Sequence, residues 1–169
     1  MKKLNILFLT LVLIITSCSN SDDNDSTSIS GDITGNWEGV ISVEYGGTFW
    51  ADGPSPIIGE FIGEASNISL SLRFDDGSNS IVSQGTYNAE VTHTISNNTF
   101  VLNFDNLEFL DDGTWSIEGE TLTVISNGIT KIATIIELTN TSLKLATRTE
   151  SSESNANRIT DVVITFTRQ

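Results

Sequence analysis

Ile68-Ser69-Leu70-Ser71-Leu72-Arg73-Phe74, closed by Asp75-Asp76-Gly77, decides the fold. Apolar side chains stand at every second position and polar ones between them. Successive side chains of a strand point to opposite faces, so this run is a β-strand with one face buried and one in water. Asp-Asp-Gly then turns the chain, because Asp bonds its own backbone and Gly tolerates the tight conformation. The same grammar recurs on both sides. Residues 37–45 place Trp37, Gly39, Ile41, Val43 and Tyr45 on one parity. Ile81, Tyr87, Ala89, Val91 and Ile95 share one parity, which predicts one long strand or two collinear ones. Asn97-Asn98 turns the chain before the inward row Phe100, Leu102 and Phe104.

The second half repeats the pattern. Asp111-Asp112-Gly113 reads as a hairpin turn before Trp115 and Ile117, and Glu118-Gly119 turns again before Leu122 and Val124. Asn127-Gly128 is a strong two-residue hairpin signal. Residues 129–138 follow, then Leu143 and Leu145, a polar loop over residues 151–157, and Val162, Ile164 and Phe166. Eight to ten sequential strands with short hairpins predict an all-β, antiparallel, up-and-down barrel, since closure removes exposed sheet edges. Residues 46–67 break the pattern. They hold both prolines, Pro54 and Pro56, and helically spaced Ile57, Ile58, Phe61, Ile62 and Ala65 interrupted by Gly59 and Gly63. The expectation is a long loop that folds back as a lid or a short extra strand.

The start of the chain is different in kind. Lys2 and Lys3 precede an apolar run over residues 4–15. That is the n-region and h-region of a signal peptide, and it is shorter than the ~20 apolar residues a spanning helix needs. The run ends in Ile15-Thr16-Ser17-Cys18, which resembles the lipobox of bacterial lipoproteins. The resemblance implies cleavage after residue 17 and lipidation of Cys18, the only cysteine of the chain. Several acyl chains then hold the protein to a membrane. A plain secretory signal is the alternative reading. The following Ser19-Asn20-Ser21-Asp22-Asp23-Asn24-Asp25 resembles the acidic export signal that sends lipoproteins of some Gram-negative bacteria to the outer face of the outer membrane. A solvated linker has the same composition. Asp25-Ser26-Thr27 also resembles a short O-glycosylation motif of that group. The expected organisation is a signal peptide over 1–17, lipidated Cys18 with a flexible acidic tether over 18–30, and one barrel domain over 31–169.

Charge narrows the partners. The chain has 22 acidic and 8 basic side chains, a formal charge of −14. Removing residues 1–17 takes two lysines and no acid, so 6 bases face 22 acids and the charge becomes −16. Phosphate backbones repel such a polyanion, which argues against nucleic acid as a partner.

Ile33-Thr34-Gly35-Asn36-Trp37-Glu38-Gly39 carries Gly-x-Trp at the start of the first long strand. Together with Gly113-Thr114-Trp115-Ser116-Ile117, Glu120-Thr121-Leu122-Thr123-Val124 and the ending Phe166-Thr167-Arg168, it resembles the lipocalin-like domains of bacterial lipoproteins, in the calycin superfamily. The resemblance spans nearly all of the globular part. It implies a barrel floor in which the Arg168 cation packs over Trp37. Ser83-Gln84 and Gly85-Thr86-Tyr87 resemble the second hairpin of the related avidins. Gly39 stands where avidins have a biotin-binding Asn, so a key biotin contact is missing.

Catalytic signals are sparse. His93 is the single histidine, on the parity of Val91 and Ile95, and no pattern supplies the partner that acid–base catalysis needs. No zinc-ligand spacing, P-loop, Rossmann or Gly-x-Ser-x-Gly motif occurs. Asp75-Asp76 and Asp111-Asp112 offer oxygens to calcium, but turn chemistry explains both pairs. No cofactor or metal is expected, and no enzymatic activity. Phe49, Trp50, Tyr87 and His93 are the candidates for a ligand-facing role. Two functions stay open. One is a surface lipoprotein whose barrel holds a small apolar or amphipathic molecule. The other is a non-enzymatic interaction module with a side-chain-filled barrel, meeting a glycan, protein or envelope partner through its loops.

Overall fold

The structure, a computed structural model, describes residues 28–51, 57–153 and 156–169. The leader, Cys18, the acidic export-like segment, the Asp25-Ser26-Thr27 motif, Pro54 and Pro56 lie outside the described residues. Twelve strands are described: β1 (Ser28–Ile29), β2 (Gly35–Ala51), β3 (Ile57–Ser66), β4 (Ser71–Asp75), β5 (Ser80–Gln84), β6 (Tyr87–Ile95), β7 (Asn98–Leu107), β8 (Gly113–Glu118), β9 (Thr121–Ser126), β10 (Ile129–Leu138), β11 (Ser142–Glu153) and β12 (Ala156–Arg168). Eight close an antiparallel barrel in the order β2-β4-β5-β8-β9-β10-β11-β12, and β12 returns to β2. Chain order and ring order agree, so the barrel is up-and-down, as a lipocalin-like barrel is. β1 pairs in parallel with the end of β10, so Ser28 and Ile29, at the end of the expected tether, already lie against the barrel.

The remaining strands build a wing. β2 has 17 residues, which gives a span of about 55 Å, longer than one barrel wall. Its first part, Gly35 to Glu38, pairs with β4, and its last part, Glu44 to Ala51, pairs with β3. Between them the register against β12 shifts, with Ile164 opposite Val43 and Thr165 opposite Val40. A bulge of this kind bends a strand, and here it marks where β2 passes from the barrel wall into the wing. β3 pairs onward with β6 and β6 with β7, so the wing runs β2-β3-β6-β7 above the barrel mouth. The long β11–β12 hairpin rises beside it.

Four sequence expectations change here. Residues 46–67, apart from 52–56, are the end of β2 and all of β3 rather than a long loop: the extra strand expected there exists, but it is ten residues long and not short. The Ile81–Ile95 parity run is two strands in different places: β5 is barrel wall and β6 is wing. Asp111-Asp112-Gly113 belongs to the crossing from wing to barrel, since β7 and β8 do not pair. The polar 151–157 stretch is largely strand, the tip of β11–β12. Parity says which face a residue takes; it does not say which strand is next door.

The lower barrel is filled. Trp37, Leu72, Phe74, Leu122, Ile135, Leu143, Leu145, Ile164 and Phe166 are each at most 2% exposed. From the crossing between β7 and β8, Phe109 and Leu110 insert as a plug, with the Phe109 ring 5.9 Å from that of Phe166. At the floor, Arg168 and Trp37 are direct cross-strand partners, and the guanidinium stands 4.3 Å from the indole centroid. Arg168 Nη1 donates to the Thr34 carbonyl at 2.6 Å and Nη2 to that of Asp32, while Trp37 Nε1 donates to the Ile33 carbonyl at 2.7 Å. Gly35 has φ +115, and a Cβ there would come within 3.1 Å of Arg168 Nη1. The Gly of Gly-x-Trp therefore makes room for the arginine over the Trp.

Candidate functional site

The inward rows change character with height. On β11 they run Leu143, Leu145, Thr147, Thr149, and on β12 Phe166, Ile164, Val162, Thr160, Arg158, so apolar floors give way to polar mouths. Above the Phe109 plug, between these rows and the wing, lies an open cleft of about 570 Å³. Tyr45 of β2, Tyr87 of β6, Leu107, Phe109 and Val162 supply its apolar wall. Lys131, Thr147, Thr149 and Thr160 supply polar groups, with Glu108, Arg148 and Glu150 among the lining. That combination of apolar wall and convergent polar groups is the usual make-up of a small-molecule site. By contrast, a groove of about 330 Å³ on the outer wall is lined by side chains such as Asn36, Arg73, Gln84 and Gln169.

Beside the cleft the wing folds an aromatic cluster over its concave face. Cross-strand pairing sets it up: Phe49 lies opposite Gly59, Tyr45 opposite Gly63 and Phe61 opposite Gly47. Each ring lies across the bare backbone of its glycine partner; a Cβ on Gly59 would fall 2.3 Å from the Phe49 ring. His93 of β6 stacks between Phe61, at 5.2 Å, and Phe100 of β7, at 5.0 Å, with Phe49 at 5.7 Å. Arg158 enters the same cluster. Its guanidinium carbon stands 4.3 Å from the Phe61 ring centroid and 5.5 Å from that of Phe104, and Nη2 donates to the Tyr45 hydroxyl at 3.2 Å. Burial lowers the His93 pKa below its usual 6.5, and the nearby Arg158 charge lowers it further, against a weaker upward pull from the Val91 backbone. His93 is therefore neutral at pH 7, and its Nδ1 is buried without a hydrogen-bond partner. Burial also raises the Tyr87 pKa well above 10, with Tyr45 adding to it, so the phenol stays protonated.

The four candidates are divided by this geometry. Phe49 and His93 meet in the wing cluster, and Tyr87 lines the cleft. Trp50, next to Phe49 along β2, is on the opposite face of the sheet, paired with Ile58 and Asn157. His93 is surrounded by phenylalanine rings and a cation, with no carboxylate bonded to it among the described residues. Phe100 and Leu102, expected to face a barrel interior, face the wing's concave side and remain 41% and 43% exposed. The Asp-rich turns have structural duties. Asp75 Oδ1 accepts from Ser78 N and Oγ, Asp112 Oδ1 accepts from Ser83 N at 2.7 Å across the short β5–β8 seam, and Asp111 pairs with Lys131 at 2.9 Å. Among the described residues no group of three or more His, Cys, Asp or Glu is gathered as metal ligands would be.

Tyr45, Arg158, Phe61 and Phe104 are the site residues that sequence reasoning missed. The parity of Val162 and Ile164, continued upward through Thr160, would have reached Arg158; reading residues 151–157 as a loop stopped the row too early. No protein-family model, no curated protein and no solved structure matches this chain.

Proposed function

We propose that this chain is a lipocalin-like envelope lipoprotein that binds a small amphipathic molecule at the barrel mouth and has no catalytic role. The cleft of about 570 Å³ over the Phe109 plug is the observation that carries this reading. The filled lower barrel leaves the mouth as the place for a ligand. There its apolar body packs on Tyr87, Leu107, Phe109 and Val162, and its polar end meets the rim. The leader and Cys18 supply the anchor: lipidated Cys18 and the acidic tether hold the barrel at the outer membrane, on the cell surface. Native mass spectrometry after incubation with envelope-lipid extracts tests the binding. A reproducible added mass, lost in Thr160→Trp, which fills the cleft wall, supports it. Acyl-chain labelling of the protein in cells, abolished by Cys18→Ser, and proteolysis of intact cells test the anchor and its exposure.

A second reading, an interaction module with a filled barrel, is favoured by one specific feature. β7 pairs only with β6 and exposes Phe100, Val101 and Leu102 in sequence along an uncovered edge. A bare protein mass in every incubation, together with loss of partner capture in Val101→Lys, would favour it over the mouth-binding reading.

A further inference from the structure

Resting on the mouth-binding reading, we infer that Arg158, assisted by Tyr45, is an anion-recognition group and that the ligand is a monocarboxylate with an apolar body. Arg158 is the next inward residue of β12 above Thr160, and Thr160 and Val162 both line the cleft. Inward neighbours along a strand are about 7 Å apart, within reach of one ligand. Tyr45 joins the two places physically, since its ring lines the cleft and its hydroxyl accepts from Arg158 Nη2.

The environment of Arg158 is unlike that of the cations lining the cleft, and also unlike that of Arg168, which lacks an ion pair but donates to two backbone carbonyls. Lys131 and Arg148, which line the cleft, are already paired, with Asp111 at 2.9 Å and Asp161 at 3.5 Å. Arg158 forms no ion pair among the described residues. Ring faces and one phenol hold it, and its Nε is buried with no hydrogen-bond partner. A chain with 22 acids to 8 bases has carboxylates to spare for any arginine that only needs a partner. A half-buried charge left unpaired is costly, and a guanidinium fork matches a carboxylate oxygen pair. The aromatic seat orients that fork and excludes water around it. The rim argues for a single negative charge. Glu108 and Glu150 line the cleft, its cations Lys131 and Arg148 are already paired, and His93 beside Arg158 is neutral, so among the described residues no unpaired cation of the cleft balances a second negative charge on a phosphate.

The test is titration of the purified protein at pH 8 with dodecanoate, dodecanol and dodecyltrimethylammonium, each below its micellar concentration, followed by calorimetry and Trp fluorescence. Dodecanoate should bind at least about 10-fold tighter than dodecanol, since charge-assisted bonds separate the two. Arg158→Met should weaken dodecanoate by about 10- to 100-fold and leave dodecanol unchanged. Arg158→Lys should restore part of the loss, and Tyr45→Phe should weaken dodecanoate less than Arg158→Met does. If Arg158→Met does not fold by circular dichroism, the Lys and Tyr45→Phe variants carry the comparison. Equal affinity for dodecanoate and dodecanol, or unchanged dodecanoate affinity across the variants, overturns the assignment and leaves mouth binding standing. Preference for the ammonium probe overturns it in favour of Glu108 and Glu150. Failure of all three probes to bind overturns mouth binding, and this assignment with it.

Discussion

At the scale of single residues, the wing holds a histidine that titrates against the fold. An unfolded chain takes up a proton at His93 near pH 6.5, whereas the folded chain does so only at lower pH, because burial and Arg158 oppose the charge. Above 6.5 both states are neutral at this site and stability is full. As pH falls through 6.5 the unfolded state binds more protons, and stability drops until the folded pKa is passed. His93→Phe, which keeps a flat ring between Phe61 and Phe100, should flatten the fall in melting temperature between about pH 7 and 5. An unchanged slope in that variant would mean that His93 is protonated in place without cost. Sequence parity correctly turned His93 inward with Val91. It gave no hint that the inside was a cluster of rings around an arginine, because the rings come from β2, β3 and β7 and the arginine from β12.

Among elements, the wing shows why residues 46–67 were misread. Gly59 and Gly63 look like breakers of a poor helix. In the sheet they are the vacant places under Phe49 and Tyr45, partners that only strand pairing identifies. Gly59→Val should therefore displace the Phe49 ring and press on the Thr94 carbonyl, which a Cβ would approach to 2.7 Å. The expected cost is about 1–3 kcal/mol. Hydrogen exchange should speed up in β3, β6 and β7 and remain slow in β9 and β10, since the damage is local to the wing. Uniform acceleration across the barrel would show instead that wing and barrel unfold as one unit. The crossing between β7 and β8 carries a second prediction. Phe109 is 6% exposed and stands on Phe166, so Phe109→Ala should cost about 3–5 kcal/mol in urea titration. A loss below about 1 kcal/mol would mean that the plug collapses into the space without harm.

For the whole molecule, charge is the dominant global term. A formal charge of −14 repels itself in any compact state, and the described ion pairs, such as Lys144 with Glu44 and Arg148 with Asp161, are exposed and contribute little. Adding NaCl to about 0.2 M at pH 7 should therefore raise the melting temperature, because screening weakens the repulsion more than it weakens these pairs. A fall in melting temperature would show that specific ion pairs outweigh the surplus. The same surplus is what makes an arginine without a carboxylate informative, a point that depends on total composition as well as on local geometry.

Local pattern alone makes the chain all-β, turns it at Asp75-Asp76-Gly77 and Asn127-Gly128, and sets which side chains face inward along most strands. These follow from period-two alternation and turn chemistry, which are local. The Trp37–Arg168 floor is implied only by the resemblance that the motifs at the two ends of the barrel carry. Tertiary contacts alone decide that β3, β6 and β7 leave the ring to form a wing, that Phe109 fills the space a ligand would occupy in an open barrel, and that Arg158 joins Tyr45 to phenylalanines of two strands, β3 and β7. Such facts depend on which strands become neighbours, and period-two alternation is the same whichever neighbour a strand acquires.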